Sequence, residues 1–304
     1  MSANLQDSIR ARLNAANEIH GWDPNETLVR YGTEGFLRRL EKTPHAKAIT
    51  LKGGNMFVVW QRGSDYRPTI DTDFLCRGDA SPEHLLEIFR DVAAVDCSEE
   101  DGLVFDAATL RIAPIRAQTA YGGSQLSLVA RLGRTRITLH FDVGVGDAVW
   151  PPAKVGVFPT LLGMSAPRVK MYPKETAIAE KVHAMIEHGE INSRMKDFYD
   201  VWFLASRFPF DFATVRTALE KTLSRRGVWP VAETPAALTP AFPEAPARQS
   251  LWRGFLKRTR LEGKTPAFPD ACAIVRAFLQ PVLFPPESRP AEWTPGKGWA
   301  GKRL

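Results

Sequence analysis

The apolar pattern of this 304-residue chain changes period twice, and no other feature constrains its fold as strongly. Up to residue 95 the apolar positions recur mostly at helical spacing, between 103 and 142 they alternate, and beyond 170 helical spacing returns. Leu5, Ile9, Leu13 and Ala16 form one helical stripe. Asp23-Pro24 supplies an N-cap followed by proline in the first turn, so a second helix carries Leu28, Tyr31, Phe36, Leu37 and Leu40. Residues 82–95 repeat the helical pattern behind another proline. By contrast, Leu103-Val-Phe, residues 109–113, 124–130 and 135–142 read as strands, the last two joined across Gly133. Two shorter β-prone runs precede them, 48–54 and 67–74, with an apolar helix start at 55–60 between. That order predicts an α+β fold whose N-terminal part is a mixed sheet with flanking helices.

Prolines cluster at 150–170, which places a domain boundary there and divides the chain into 1–165 and 166–304. The second part reads as helical, at 174–188, 195–206, 211–224, 248–258 and 269–280. Prolines exclude regular helix from 229–246, which is expected to run extended over the surface, and the tail from Pro285 has the same character. No apolar run approaches the roughly 18 residues of a membrane span, and the opening residues contain no apolar signal core, so a cytoplasmic protein with no membrane partner is expected. Cys76, Cys97 and Cys272 are too far apart to form a local metal motif or a disulfide framework. A net charge of +6 gives slight support to a polyanionic partner.

The chemistry-bearing residues gather around the short strands. Asp71-Thr-Asp73 has the i, i+2 spacing that puts two carboxylates on one strand face, and hard oxygen ligands of this kind hold divalent cations in nucleotidyl transfer. Upstream, Gly53-Gly54-Asn55 ends a strand in a turn whose backbone N–H groups can approach a triphosphate, with Asn55 as a further donor. A third carboxylate is expected from a neighbouring strand, and Asp142 shares a face with Thr138 and His140, opposite Ile137, Leu139 and Phe141. The rival for that third place is Asp147, in a glycine-rich turn, which reads as a loop residue, and His140 reads as a sheet histidine.

Five pieces in order resemble the AbiEii/AbiGii-type nucleotidyltransferase toxins, a family that includes the MenT toxins within the polymerase-β-like superfamily. They are Leu51-Lys-Gly-Gly-Asn55, Arg67-Pro-Thr-Ile-Asp-Thr-Asp-Phe74, residues 137–142, residues 172–181, and Arg194-Met-Lys-Asp-Phe-Tyr-Asp200. The resemblance implies a bilobed protein with an N-terminal nucleotidyltransferase lobe and a helical C-terminal lobe. It implies a metal site of Asp71, Asp73 and Asp142 for Mg²⁺ or Mn²⁺, with Lys181 and Asp197 also in the catalytic set. Gly53, Gly54, Asn55 and Arg67 are expected to bind the nucleotide, as are Lys174 and Lys181, which lie two helical turns apart on one face; the resemblance implies phosphate contact for Lys181, with Asp200 and Arg194 in support. Many relatives carry Ser or Thr after the glycine pair, whereas Asn55 stands here, and 61–65 reads as an extra loop. The implied activity is transfer of a nucleoside monophosphate from an NTP to RNA, in particular the 3′ end of tRNA, with growth arrest countered by a cognate antitoxin. Arg225, Arg226, Trp252, Lys257, Arg258 and Arg260 are expected to track the RNA backbone. A protein or small-molecule acceptor and a non-catalytic binding protein of the same fold remain alternatives.

Overall fold

The computed structural model describes residues 2–61, 67–115, 122–288 and 290–301. It resolves into two compact units. The first comprises Met1–Asp147 with Ala153–Tyr172, and the second Ala148–Pro152 with Pro173–Leu304.

In the first unit α1 (Ser2–His20) and α2 (Pro24–Glu41) lead into β1 (Ile49–Lys52), α3 (Asn55–Gln61), β2 (Thr72–Cys76), α4 (Pro82–Ala94) and a one-turn α5 (Ser98–Asp101). The strands β3 (Leu103–Pro114), β4 (Gly123–Leu132), β5 (Thr135–Val145), β6 (Lys154–Val157) and β7 (Arg168–Met171) follow. The sheet order is β3-β4-β5-β2-β1-β7-β6. Its pairings are antiparallel except for two parallel neighbours, β2 with β5 and β1 with β7, so the sheet is mixed as the period change predicts. The N-cap read from sequence is formed: Asp23 accepts from the N–H groups of Asn25 and Glu26. Where the sequence suggested two short strands at 103–105 and 109–113, a single strand runs through both, its register shifting between Asp106 and Arg111. One sheet face carries the core. Phe36 of α2 packs on Phe141 with ring centroids 4.5 Å apart and on Phe89 at 5.1 Å, and Phe74 stacks on Phe141 at 6.0 Å.

Two buried charged groups hold α2 in place. Asp101, wholly buried, accepts from Arg38 at 2.7 Å and from both terminal nitrogens of Arg39 at 2.7 and 3.2 Å, and its Oδ1 also accepts the Leu103 N–H at 3.0 Å. Glu34, 1% exposed, accepts the Leu161 N–H at 3.0 and 3.2 Å and lies 3.4 Å from Arg30. Burial pushes its carboxyl from 4.5 up to about 7 despite Arg30 and the Leu161 bond. The folded protein therefore binds this proton more tightly than the unfolded chain, so the group's contribution is most favourable below pH 4.5 and declines as pH rises through 7. At 1.36 kcal/mol per pH unit the decline is about 3 kcal/mol. Glu34→Gln keeps an acceptor for Leu161 and removes the titration. Urea unfolding at a pH series should show the variant gaining about that much on its parent between pH 4.5 and 7.

The second unit consists of α6 (Lys174–His188), α7 (Met195–Arg207), β8 (Phe210–Asp211), α8 (Phe212–Arg225), α9 (Pro246–Arg258), α10 (Phe268–Leu283), β9 (Glu292–Thr294) and β10 (Gly298–Ala300). The five long helices match the predicted segments. Within 229–246 the prolines admit only two short 3-10 turns, yet the segment is anchored, because Leu238 and Phe242 are buried and Phe242 stacks on Phe198 at 5.5 Å. The tail departs from expectation. Instead of running extended, 292–300 folds into a hairpin that pairs with β8, fixed by indole N–H groups donating from Trp293 to the Ala205 carbonyl and from Trp299 to the Phe278 carbonyl. Trp252 also departs from its expected surface role: it is 1% exposed and donates to the Pro266 carbonyl, because it is a core residue of α9. No helix among the described residues is long and apolar enough to cross a membrane.

Candidate active site

Strand register brings two of the expected carboxylates together. β2 runs parallel to β5 with Asp73 directly opposite Asp142. Because side chains alternate along a strand, both carboxyls leave the sheet on the face opposite Phe74 and Phe141, which are anchored in the core. The cross-strand row continues to Lys52, opposite Asp73 on β1, and to Gln125, opposite Asp142 on β4. Gln125 Nε2 donates to Asp142 Oδ1 at 3.0 Å and so orients that carboxylate. His140 is half-buried opposite Ser127.

Asp71 occupies a different setting. The strand expected over 67–74 begins only at Thr72, and Asp71 is exposed on the bend before it. Pro68 has no N–H to give a ladder, and the Asp71 carbonyl is taken by side chains, Asn55 Nδ2 and Thr69 Oγ1, each at 3.2 Å. Asn55, 4% exposed, also reaches Thr72 Oγ1 at 3.4 Å, so in this structure its amide braces the bend. Among the described residues no group of three or more Asp, Glu, His or Cys side chains is gathered to hold an ion. The pair that the sheet aligns, Asp73 and Asp142, offers hard carboxylate oxygens, a donor set that fits Mg²⁺ or Mn²⁺ better than softer metals.

The glycine turn packs directly on this pair. Gly53 has φ +67°, and a Cβ built on it would overlap the Asp73 carboxyl, while one on Gly54 would meet Thr69 Oγ1 at 2.6 Å. Gly53→Ala would therefore combine a left-handed backbone cost of about 1–2 kcal/mol with displacement of Asp73. We expect the variant to melt lower and to lose any function that needs Asp73 in place, whereas full function at reduced stability would separate the turn from the carboxylate pair. Arg67 is 8% exposed with its guanidinium 5.5 Å from the Phe57 ring centroid. The extra loop expected at 61–65 falls almost wholly outside the described residues, as only Gln61 is among them.

In the second unit the motif residues form one ionic cluster between α6 and α7. Lys181 Nζ lies 3.3 Å from Asp197 Oδ1 and 3.4 Å from Asp200 Oδ2, and Arg194 Nε donates to Asp197 Oδ2 at 2.6 Å. Both aspartates are fully buried while Lys181 stays 17% exposed. Burial alone would raise the Asp197 carboxyl, but the charges of Lys181 and Arg194 outweigh it and hold the group below the usual range. Asp197 thus contributes stability above its unfolded value that is lost as pH falls through its depressed folded value. Lys174 begins α6, its ammonium 4.6 Å from the Phe208 ring centroid.

Sequence reasoning missed Lys52 and its pairing with Asp147. Lys52 Nζ lies 2.6 Å from Asp147 Oδ2, and the Tyr172 hydroxyl donates to the same oxygen at 3.4 Å. The available signal was a lysine at the last strand position before the glycine pair, together with an aspartate just beyond Gly144 and Gly146.

A mixed sheet with aligned carboxylates beside a glycine turn, in a chain with a helical second unit, is consistent with a nucleotidyltransferase fold. Residues 35–274 match the family described as nucleotidyl transferase AbiEii toxin, type IV toxin-antitoxin system. The match spans most of the sequence, and the chain belongs to that family. Two solved structures from Helicobacter pylori are similar. JHP933 shares 16% identity over 83% of this chain and 88% of its own, with a TM-score of 0.45. A protein described provisionally as a nucleotidyltransferase shares 17% over 85% and 93%, with a TM-score of 0.46. No curated protein matches the sequence.

Proposed function

We propose that the protein transfers a nucleoside monophosphate from an NTP to a hydroxyl of RNA, with tRNA 3′ ends as the leading acceptor, as the toxin of a toxin-antitoxin pair. The observation that carries this reading is the alignment of Asp73 with Asp142 against the Gly53-Gly54 turn. These two carboxylates, joined by Asp71 from its bend, would hold Mg²⁺ or Mn²⁺, which when bound offsets charge on the reacting phosphates. The acceptor oxygen forms its bond to the α-phosphorus, the bond to the β-phosphate oxygen breaks, and pyrophosphate leaves. Asp142, oriented by Gln125, aligns the acceptor hydroxyl and takes its proton. Backbone N–H groups of the glycine turn meet the phosphates, and Asn55 keeps the Asp71 bend in shape. In the second unit Lys181, by analogy with the family, contacts the phosphates, and Lys174, two helical turns before it on α6, is a second point charge for them. The partly open ammonium of Lys181, fixed by two buried aspartates, supports that role. Arg225, Lys257, Arg258 and Arg260 are exposed and of one charge, which suits an RNA backbone. The type IV system to which the family belongs supports an antitoxin partner.

The test is incubation of folded protein with each α-labelled NTP, divalent cation and total tRNA. Label in RNA, as one dominant nucleotide, is expected. Label in protein or in small molecules would redirect the acceptor, and no transfer with any nucleotide would leave a binding protein that retains the fold.

A further inference from the structure

A second charged group shares the sheet face with Asp73 and Asp142. Lys52 ends β1 opposite Asp73, but its ammonium does not stay over its own strand. Nζ lies 3.5 Å from the point where a Cβ would leave Gly144 on β5, so the side chain reaches across β2 to the strand that carries Asp142. There Asp147 Oδ2 meets it at 2.6 Å and itself lies 3.6 Å from that same Cβ position. The Tyr172 hydroxyl shares the Asp147 oxygen, and its ring lies 5.6 Å from the ammonium. Gly144 follows Asp142 by two residues and so projects to the same face, where its lack of a side chain makes room for the lysine. A long flexible side chain held across two strands loses most of its rotamer freedom, and because both charges of the pair are largely withdrawn from water, desolvation offsets much of what their attraction returns. The sheet therefore fixes a cation on the face of its carboxylate pair for little return in stability, which is what a charged ligand at that place would use.

We infer that Lys52 contacts the triphosphate of the NTP, with Asp147 and Tyr172 as the residues that position it. The inference rests on the nucleotidyl-transfer reading and adds a phosphate contact to it. One divalent cation offsets only part of a triphosphate's charge, and Lys52 supplies fixed positive charge on the same face. Removing this cation weakens nucleotide binding but not metal binding, because a positive charge near a cation site opposes the metal.

Lys52→Met, Lys52→Arg and Asp147→Asn test this by two readouts, equilibrium binding of a non-hydrolysable NTP analogue in Mn²⁺ and binding of Mn²⁺ alone. Lys52→Met is expected to weaken the analogue roughly 10- to 100-fold, the range for a hydrogen bond to a charged group, and to leave Mn²⁺ affinity equal or higher. Lys52→Arg should recover part of the loss, and Asp147→Asn should follow Lys52→Met with a smaller effect. In the transfer assay the same loss should appear in KM for the NTP more than in kcat. Unchanged analogue affinity in Lys52→Met, or a parallel loss of Mn²⁺ binding and melting temperature, overturns the contact and makes the pair a structural clamp. Analogue binding without turnover in the parent sinks the transfer reading while still deciding the role of Lys52, and failure of the parent to bind the analogue overturns both.

Discussion

Asparagine at position 73 or 142 should lower label transfer by about 10²- to 10³-fold or more while leaving the melting temperature equal or slightly higher. The reasoning is electrostatic. Asp73 and Asp142 stand opposite one another on adjacent strands, and like charges so placed repel in the absence of a cation. Replacing one by its amide removes that repulsion and keeps an acceptor for Gln125 at position 142. What disappears is half of the aligned anionic donor set. A fall in activity that tracked a fall in stability would mean the substitution acts on the sheet and not on the reaction. Asp71→Asn should cost less than either, because Asp71 sits exposed on the bend.

The second large effect concerns stability. Asp101→Ala is expected to destabilise the first unit by about 3–5 kcal/mol, because it leaves Arg38 and Arg39 buried without their shared counter-ion. Their side chains are only 3% and 2% exposed, so water cannot replace the carboxylate without opening the packing between α2 and α5. Urea unfolding should show the transition midpoint fall. A triple variant with Arg38→Met, Arg39→Met and Asp101→Leu should recover much of the loss, since an apolar set of similar volume needs no counter-ion. If Asp101→Ala were neutral, the cluster would hold no energetic role.

The elements legible in the sequence were those whose own side chains state their period. α2 declared itself through Asp23-Pro24 and its apolar stripe, and β4 and β5 through alternation. Asp142 could be placed on the correct face of its strand because Ile137, Leu139 and Phe141 mark the buried one. Long-range pairing was not legible. The convergence of Arg38 and Arg39 on Asp101 left no local signal, since nothing in Ser98-Glu-Glu-Asp101 shows that two guanidiniums meet there. The pairing of Lys52 with Asp147 escaped for the same reason, the two being 95 residues apart in sequence. The terminal hairpin was hidden by its prolines and glycines, although Trp293 and Trp299 carry its packing. The Asp71 bend was misread as strand because i, i+2 spacing does not reveal that side chains of Asn55 and Thr69 capture the backbone.

Titration of the parent and of an Asp73→Asn, Asp142→Asn double variant with Mn²⁺, followed by electron paramagnetic resonance in the presence of a non-hydrolysable NTP analogue, tests the central claim most directly. Saturable Mn²⁺ binding by the parent that the double variant lacks, with both proteins folded, is the predicted result; equal binding by the two would place the cation elsewhere and contradict the account.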